Sequence, residues 1–232
     1  MAEVEQRSRA GFKLYLISDR KLAAAHGGLL AVVEAALSAA STTAAGARAI
    51  ALQLREKDLG ARELYELACA LRERCARYGA ALIVNDRIDV AIAAKADGVH
   101  IPANSFAVAD ARALLGALGL VGVSAHEVGE VGAAAAAGAD FAVFGPVYDP
   151  LSKAAYGPAR GAEVLGAACR AAGGMPLYAL GGITAERARE LGGAAALIER
   201  GRLAGVAVIG AVMGADDGGA ATRALMRALA DW

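Results

Sequence analysis

One unit recurs along this chain: a short apolar run of β-leaning residues, then a helical stretch, eight times over. The runs fall at 12–18, 48–54, 81–84, 98–101, 120–123, 141–144, 176–180 and 205–209. Helical stretches follow at 29–45, 61–78, 88–94, 108–118, 128–137, 161–172, 185–191 and 220–230. Most runs are apolar throughout rather than alternating, as parallel strands covered on both sides require. Eight such units with no proline-rich or glycine/serine-rich linker predict an α/β chain closed as a single (β/α)8 TIM barrel over 1–232. Residues 1–11 read as a disordered tail. The competing architecture is an open doubly wound sheet, but no Gly-x-Gly-x-x-Gly follows the first run, which exits through Ser18-Asp19-Arg20. Gly173-Gly174 and Gly192-Gly193 read as helix stops.

Composition narrows the function classes. Hydrophobic residues make up 57%, ample for a large core, and mean hydropathy is +0.43. The 24 basic and 24 acidic residues cancel, so no global field favours nucleic acid or an anionic membrane, and any anion site must be local. Cys69, Cys75 and Cys169 form no metal-ligand pattern and read as reduced thiols of a cytoplasmic protein. The first residues are charged and lack a signal peptide's apolar core. No uninterrupted apolar run is long enough to span a bilayer. Apolar helix faces could serve the barrel or build a homo-oligomer.

In such a barrel the chemistry sits where strands end. Gln53, Arg55 and Lys57 occupy alternate positions at the second exit, hence one face of an extended segment. An amide and two cations suit a diphosphate, Arg as a fork and Lys as a point charge. The alternative is a solvated strand end paired locally with Glu56, Asp58 or Glu63. At the third exit, Asp86 of Asn85-Asp86 is either a helix N-cap or a Mg²⁺ ligand. Gly181-Gly182 and Gly210 follow the last two runs and are either turn glycines or a phosphate cradle. Lys153 lies in a long loop, 148–158, of the length of a lid. His126 reads as a proton-transfer group or a hydrogen-bonded loop histidine, His100 as structural, and His26 is unassigned. Ser124-x-His126 makes no nucleophilic triad.

With these residues placed, the sequence resembles the thiamine phosphate synthase family, including its TenI-like thiazole tautomerase branch. The resemblance rests on Leu14-Tyr15-Leu16-Ile17-Ser18-Asp19, Gln53-Leu54-Arg55-Glu56-Lys57-Asp58 and Val84-Asn85-Asp86-Arg87-Ile88-Asp89. It continues through Ala96-Asp97-Gly98-Val99-His100, Val123-Ser124-Ala125-His126, Gly138-Ala139-Asp140, Phe144-Gly145-Pro146-Val147-Tyr148 and Ala179-Leu180-Gly181-Gly182-Ile183. It implies a transferase of thiamine biosynthesis that joins 4-amino-5-hydroxymethyl-2-methylpyrimidine diphosphate to thiazole phosphate carboxylate, releasing diphosphate and CO₂. The implied diphosphate contacts are Gln53, Arg55, Lys57, Asn85, Ser124, Ser152 and Lys153, with Asp86 as a magnesium ligand. Gly181, Gly182, Ile209 and Gly210 match the thiazole phosphate site, and the implied partners are these small phosphorylated substrates. Two departures stand out: Ser105 where the synthases carry a second metal carboxylate, and Pro150 in place of a threonine. Pro102 to Phe106 looks more like the TenI branch, where a histidine matching His126 moves the proton. A tautomerase and a non-catalytic binder of thiamine intermediates are the alternatives.

Overall fold

A computed structural model describes residues 10–117, 119–149, 159–195, 203–230 and 232. Its eight strands are β1 (Leu14–Ile17), β2 (Ile50–Leu54), β3 (Ala81–Asn85), β4 (Gly98–Ile101), β5 (Leu120–Ala125), β6 (Phe141–Phe144), β7 (Leu177–Leu180) and β8 (Leu203–Val208). All pair in parallel in chain order, and β1 closes the ring on β8 with Leu14 opposite Val206. The open-sheet alternative is excluded. Among the described residues, ten helices surround or cap the barrel. They are α1 (Arg20–Ala23), α2 (Leu29–Ser41), α3 (Ala61–Tyr78), α4 (Ile88–Ala93), α5 (Val108–Leu115), α6 (Val128–Ala136), α7 (Gly161–Ala171), α8 (Ala185–Ala195), α9 (Gly210–Met213) and α10 (Gly218–Ala228).

Three differences from the sequence reading have local causes. β2 starts at Ile50 rather than residue 48 because Ala47–Ala49 form a 3-10 turn beneath it. Gly192 and Gly193 lie inside α8 rather than stopping it. A Cβ on Gly192 would strike the Trp232 indole, so that glycine admits the C-terminal residue against the helix. Short α1 and α9 have too few residues to show a helical period. Asp19 caps α1, accepting from the Lys21 and Leu22 backbone N–H groups, each at 3.0 Å.

The barrel interior is aromatic below and polar above. Tyr15, Phe141 and Tyr178 fill the lower layers with Phe12, which lies under β1 and stacks on Tyr178 at 4.5 Å between ring centroids. The Tyr178 hydroxyl donates to the Phe12 carbonyl at 2.9 Å and the Ala10 carbonyl at 3.2 Å, sealing the floor with the chain's own entry segment. Residues 1–9 of the expected tail lie outside the described residues, while Ala10 is buried. Gly122 makes room for this plug, because a Cβ there would overlap the Phe141 ring. At the same lower end, Asp97 and Asp140 each accept from a backbone N–H of the neighbouring strand (Leu82 and Val121) and pair with a helix arginine (Arg72 and Arg112). The lower face is thus built for stability, and function is left to the opposite rim. Among the described residues, no single helix is long and apolar enough to cross a membrane.

Candidate active site

The upper rim carries those polar residues singled out in the sequence that fall among the described residues. Strand alternation carries Gln53 to the inside, buried at 2% exposure, where its Nε2 donates to Asn85 Oδ1 at 3.0 Å. Arg55, one residue beyond β2, is half-buried, and Lys57 is exposed above it. Their acidic neighbours are engaged elsewhere. Glu56 is buried and accepts from the Ser18 hydroxyl at 2.6 Å and the Arg20 backbone N–H at 3.0 Å. Asp58 pairs with Arg20 at 2.7 Å and Lys21 at 2.9 Å, and Glu63 accepts from the Gly60 N–H. Among the described residues, neither Arg55 nor Lys57 has an ion pair. Local pairing with Glu56, Asp58 or Glu63 therefore does not occur. Two cations stand without a carboxylate partner at one rim, as an anion site requires.

Ser18 fixes this corner. Its Oγ accepts the Arg55 backbone N–H at 2.8 Å while its proton goes to Glu56. Burial raises the Glu56 carboxyl above its usual range, with hydrogen bonds from Ser18 and Arg20 opposing the shift.

Asp86 is not an N-cap. Arg87 occupies that position without a side-chain cap, and Asp86 takes a left-handed backbone, φ 66°, with its N–H on the His100 carbonyl at 2.9 Å. Its carboxylate accepts the Ser105 hydroxyl, so the loops after β3 and β4 meet here. Among the described residues, no three potential metal-ligating side chains cluster. One carboxylate beside a hydroxyl is a sparse set of oxygen donors, and Asp86 would hold Mg²⁺ only with further ligands from outside the protein. Asp149 does not replace the missing carboxylate, because its backbone lies against Gly182 at the β7 end, across the ring from β3.

His100 and Ser124 complete the floor of the mouth. His100 is buried, with Nδ1 at 3.2 Å from the Tyr15 hydroxyl and Nε2 at 2.8 Å from Ser124 Oγ. Burial, and secondarily the charge of Arg55, pushes its pKa down to about 3. The imidazole is thus neutral. His126 is exposed and its Nδ1 lies 2.7 Å from the Gly145 carbonyl. That carbonyl can only accept, so Nδ1 carries a proton and donates to it.

On the far side, Gly181 and Gly182 adopt φ values of 103° and 60°, which L side chains rarely take. A Cβ on Gly181 would lie 2.7 Å from Pro146 Cα, and one on Gly182 would strike the Asp149 carbonyl. Arg187 of α8 donates to the Gly182 carbonyl at 2.6 Å with its guanidinium 4.7 Å from the Tyr148 ring centre. After β8, Ile209 precedes α9, whose first residue is Gly210. A glycine turn thus follows β7, and a short helix starts after β8. Ser152, Lys153 and Pro150 lie outside the described residues.

A family model described as thiamine monophosphate synthase matches residues 14–212. The chain belongs to the thiamine monophosphate synthase family. It is 46% identical over 222 residues to a Geobacter sulfurreducens protein provisionally named as a thiamine-phosphate synthase, covering 96% of each. To the thiamine-phosphate synthase of Syntrophomonas wolfei it is 36% identical over 206 residues, 89% of this chain and 90% of that one. The solved thiamine phosphate pyrophosphorylase of Pyrococcus furiosus superposes with a TM-score of 0.79 at 31% identity, covering 97% and 98% of the two chains. A 3-hexulose-6-phosphate synthase structure, at 20% identity and a TM-score of 0.59, shares the fold alone.

Within this thiamine monophosphate synthase rim, three residues escaped the sequence reading. Ser18 and Glu56 were visible as polar strand exits, but their joint hold on Arg55 spans two loops. Tyr15 sits in an apolar run, and only the barrel's inward alternation brings its hydroxyl to His100.

Proposed function

We propose that this chain is a working thiamine-phosphate synthase, joining the pyrimidine diphosphate to thiazole phosphate carboxylate with release of diphosphate and CO₂. The observation that carries this reading is the pair of cations, Arg55 and Lys57, without a carboxylate while every acidic neighbour is engaged elsewhere. A tautomerase has no departing diphosphate and no need of them. The bond between the pyrimidine methylene carbon and the diphosphate oxygen breaks with both electrons going to oxygen. The electron-rich pyrimidine stabilises the methylene cation, and the thiazole nitrogen captures it. The C–CO₂⁻ bond then breaks with its electrons left on the ring carbon, which takes a proton from solvent as CO₂ departs. Arg55 forks the diphosphate oxygens, Lys57 adds a point charge, and Ser124 donates a hydrogen bond, all where negative charge grows. Gln53 and Asn85, held by their mutual hydrogen bond, orient the pyrimidine diphosphate. The Gly181-Gly182 turn and the Ile209-Gly210 start of α9 present N–H groups to the thiazole phosphate. By resemblance Lys153 adds a third cation and Ser152 a hydroxyl donor. Mg²⁺, held by Asp86, would supply further charge neutralisation on the diphosphate.

The three free cysteines support a reduced cytoplasmic setting. Burial pushes the Cys75 thiol up to about 12 and the Cys169 thiol up to about 11, so neither is a ready nucleophile. The test is direct: with Mg²⁺ and both substrates the purified protein forms thiamine phosphate, and Arg55→Ala abolishes it. No product, together with His126-dependent interconversion of thiazole tautomers, would establish the isomerase instead. Tight substrate binding without turnover of either kind would mark a non-catalytic binder.

A further inference from the structure

We propose that Tyr15 and His100 are positioning residues that set the direction of the Ser124 hydroxyl, making it a one-way donor into the mouth. The inference rests on the reading of that mouth as a diphosphate site.

The three side chains form one hydrogen-bonded line from the barrel core to its rim. Tyr15 is fully buried, packed against Phe12, Phe141 and Tyr178. Its hydroxyl lies 3.2 Å from His100 Nδ1, and among the described residues it has no other hydrogen-bond partner. His100 Nε2 lies 2.8 Å from Ser124 Oγ, and Ser124 is half-exposed on the inward face of β5. Strand alternation fixes this line: His100 is opposite Gly122 in the ladder, and Ser124 stands two residues higher on the same face.

Tyr15 and His100 are both buried and the line contains no carboxylate, so the imidazole between the two hydroxyls is uncharged. A neutral imidazole carries one N–H, so the line has two polarities. With the proton on Nδ1, His100 would donate to Tyr15, and the phenol O–H would be left in the aromatic plug with no acceptor. Ser124 would then spend its own proton on Nε2 and show only lone pairs to the mouth. With the proton on Nε2, the Tyr15 hydroxyl donates to Nδ1, His100 donates to Ser124 Oγ, and every donor in the core is used. The second polarity wins because a buried donor without an acceptor is the costlier state. Ser124, already accepting from His100, then turns its O–H outward. A diphosphate oxygen only accepts, so the rim presents it a donor in place of a repelling lone pair.

The direct test reads the tautomer in the unmodified protein. Two-bond ¹H–¹⁵N spectra of histidine-labelled protein near neutral pH should place the His100 proton on Nε2. A proton on Nδ1 overturns the proposal whatever the enzyme does. Calorimetry with inorganic diphosphate in Mg²⁺ buffer supplies the second readout. Tyr15→Phe should weaken binding severalfold and His100→Leu about tenfold. His100→Gln, whose amide N–H can replace Nε2–H, should recover most of the loss. Undiminished binding in both Tyr15→Phe and His100→Leu overturns the proposal. If the unmodified protein fails to bind diphosphate, the reading of the mouth falls, and the tautomer spectrum still decides the direction of Ser124.

Discussion

Replacing Arg55 by alanine separates a binding cation from a structural one. Among the described residues its guanidinium has no ion pair, and its backbone N–H, which is bound by Ser18, survives the change. A surface substitution that breaks no partner changes stability by about ±0.5 kcal/mol. At roughly 2–4 °C per kcal/mol for a chain of this size, Tm should move by no more than about 2 °C. Diphosphate affinity should behave differently. A hydrogen bond to a charged group contributes about 1.5–3 kcal/mol, so the loss predicts a Kd roughly 10–150-fold weaker. Arg55→Lys keeps the charge but loses the fork and should fall between. Calorimetry with inorganic diphosphate and a thermal melt on the same samples give both numbers. A large drop in Tm with an unchanged Kd would refute the reasoning, because Arg55 would then be holding the fold and not the ligand.

Three other perturbations probe different parts of the barrel. Gly122→Ala pushes a methyl into the Phe141 ring, which Phe12, Tyr15 and Tyr178 hem in. Overpacking of about 1–3 kcal/mol predicts a melt lowered by roughly 2–12 °C, and an unshifted melt would show the plug to be loosely packed. Ser105→Asp places a second carboxylate against Asp86. Added Mg²⁺ should then raise its Tm more than it raises that of the unmodified protein, and equal responses would remove the metal from this corner. The third is acid stability. His100 binds its proton only near pH 3 when folded but near its ordinary value when unfolded, so the unfolded chain holds more protons between those limits. Its contribution is complete above about pH 6.5 and falls by up to about 1.4 kcal/mol per unit as pH drops toward 3. Urea unfolding across that range should show a shallower acid limb for His100→Gln, and parallel limbs would contradict the buried neutral imidazole.

The barrel was legible because its cause is local. Eight apolar runs spaced by helical stretches require parallel strands covered on both faces. The lack of a Gly-x-Gly-x-x-Gly after the first run favoured closure over an open sheet, and the observed ladder closes in chain order. Gln53, Arg55 and Lys57 were legible for the same reason, since a two-residue period is readable from sequence. Gly192 and Gly193 misled because composition alone cannot distinguish a helix stop from a glycine that makes room for Trp232.

The order of strands and the rim at which polar residues collect were therefore settled by the chain's own pattern. Which of those residues face a ligand was settled only in three dimensions. Glu56 lies beside Arg55 in sequence yet bonds to Ser18, 38 positions away. Tyr15 reaches His100 across 85. Hydrogen-bond partners are chosen by distance in space, and barrel closure brings distant strand ends into contact while alternation turns chain neighbours to opposite faces.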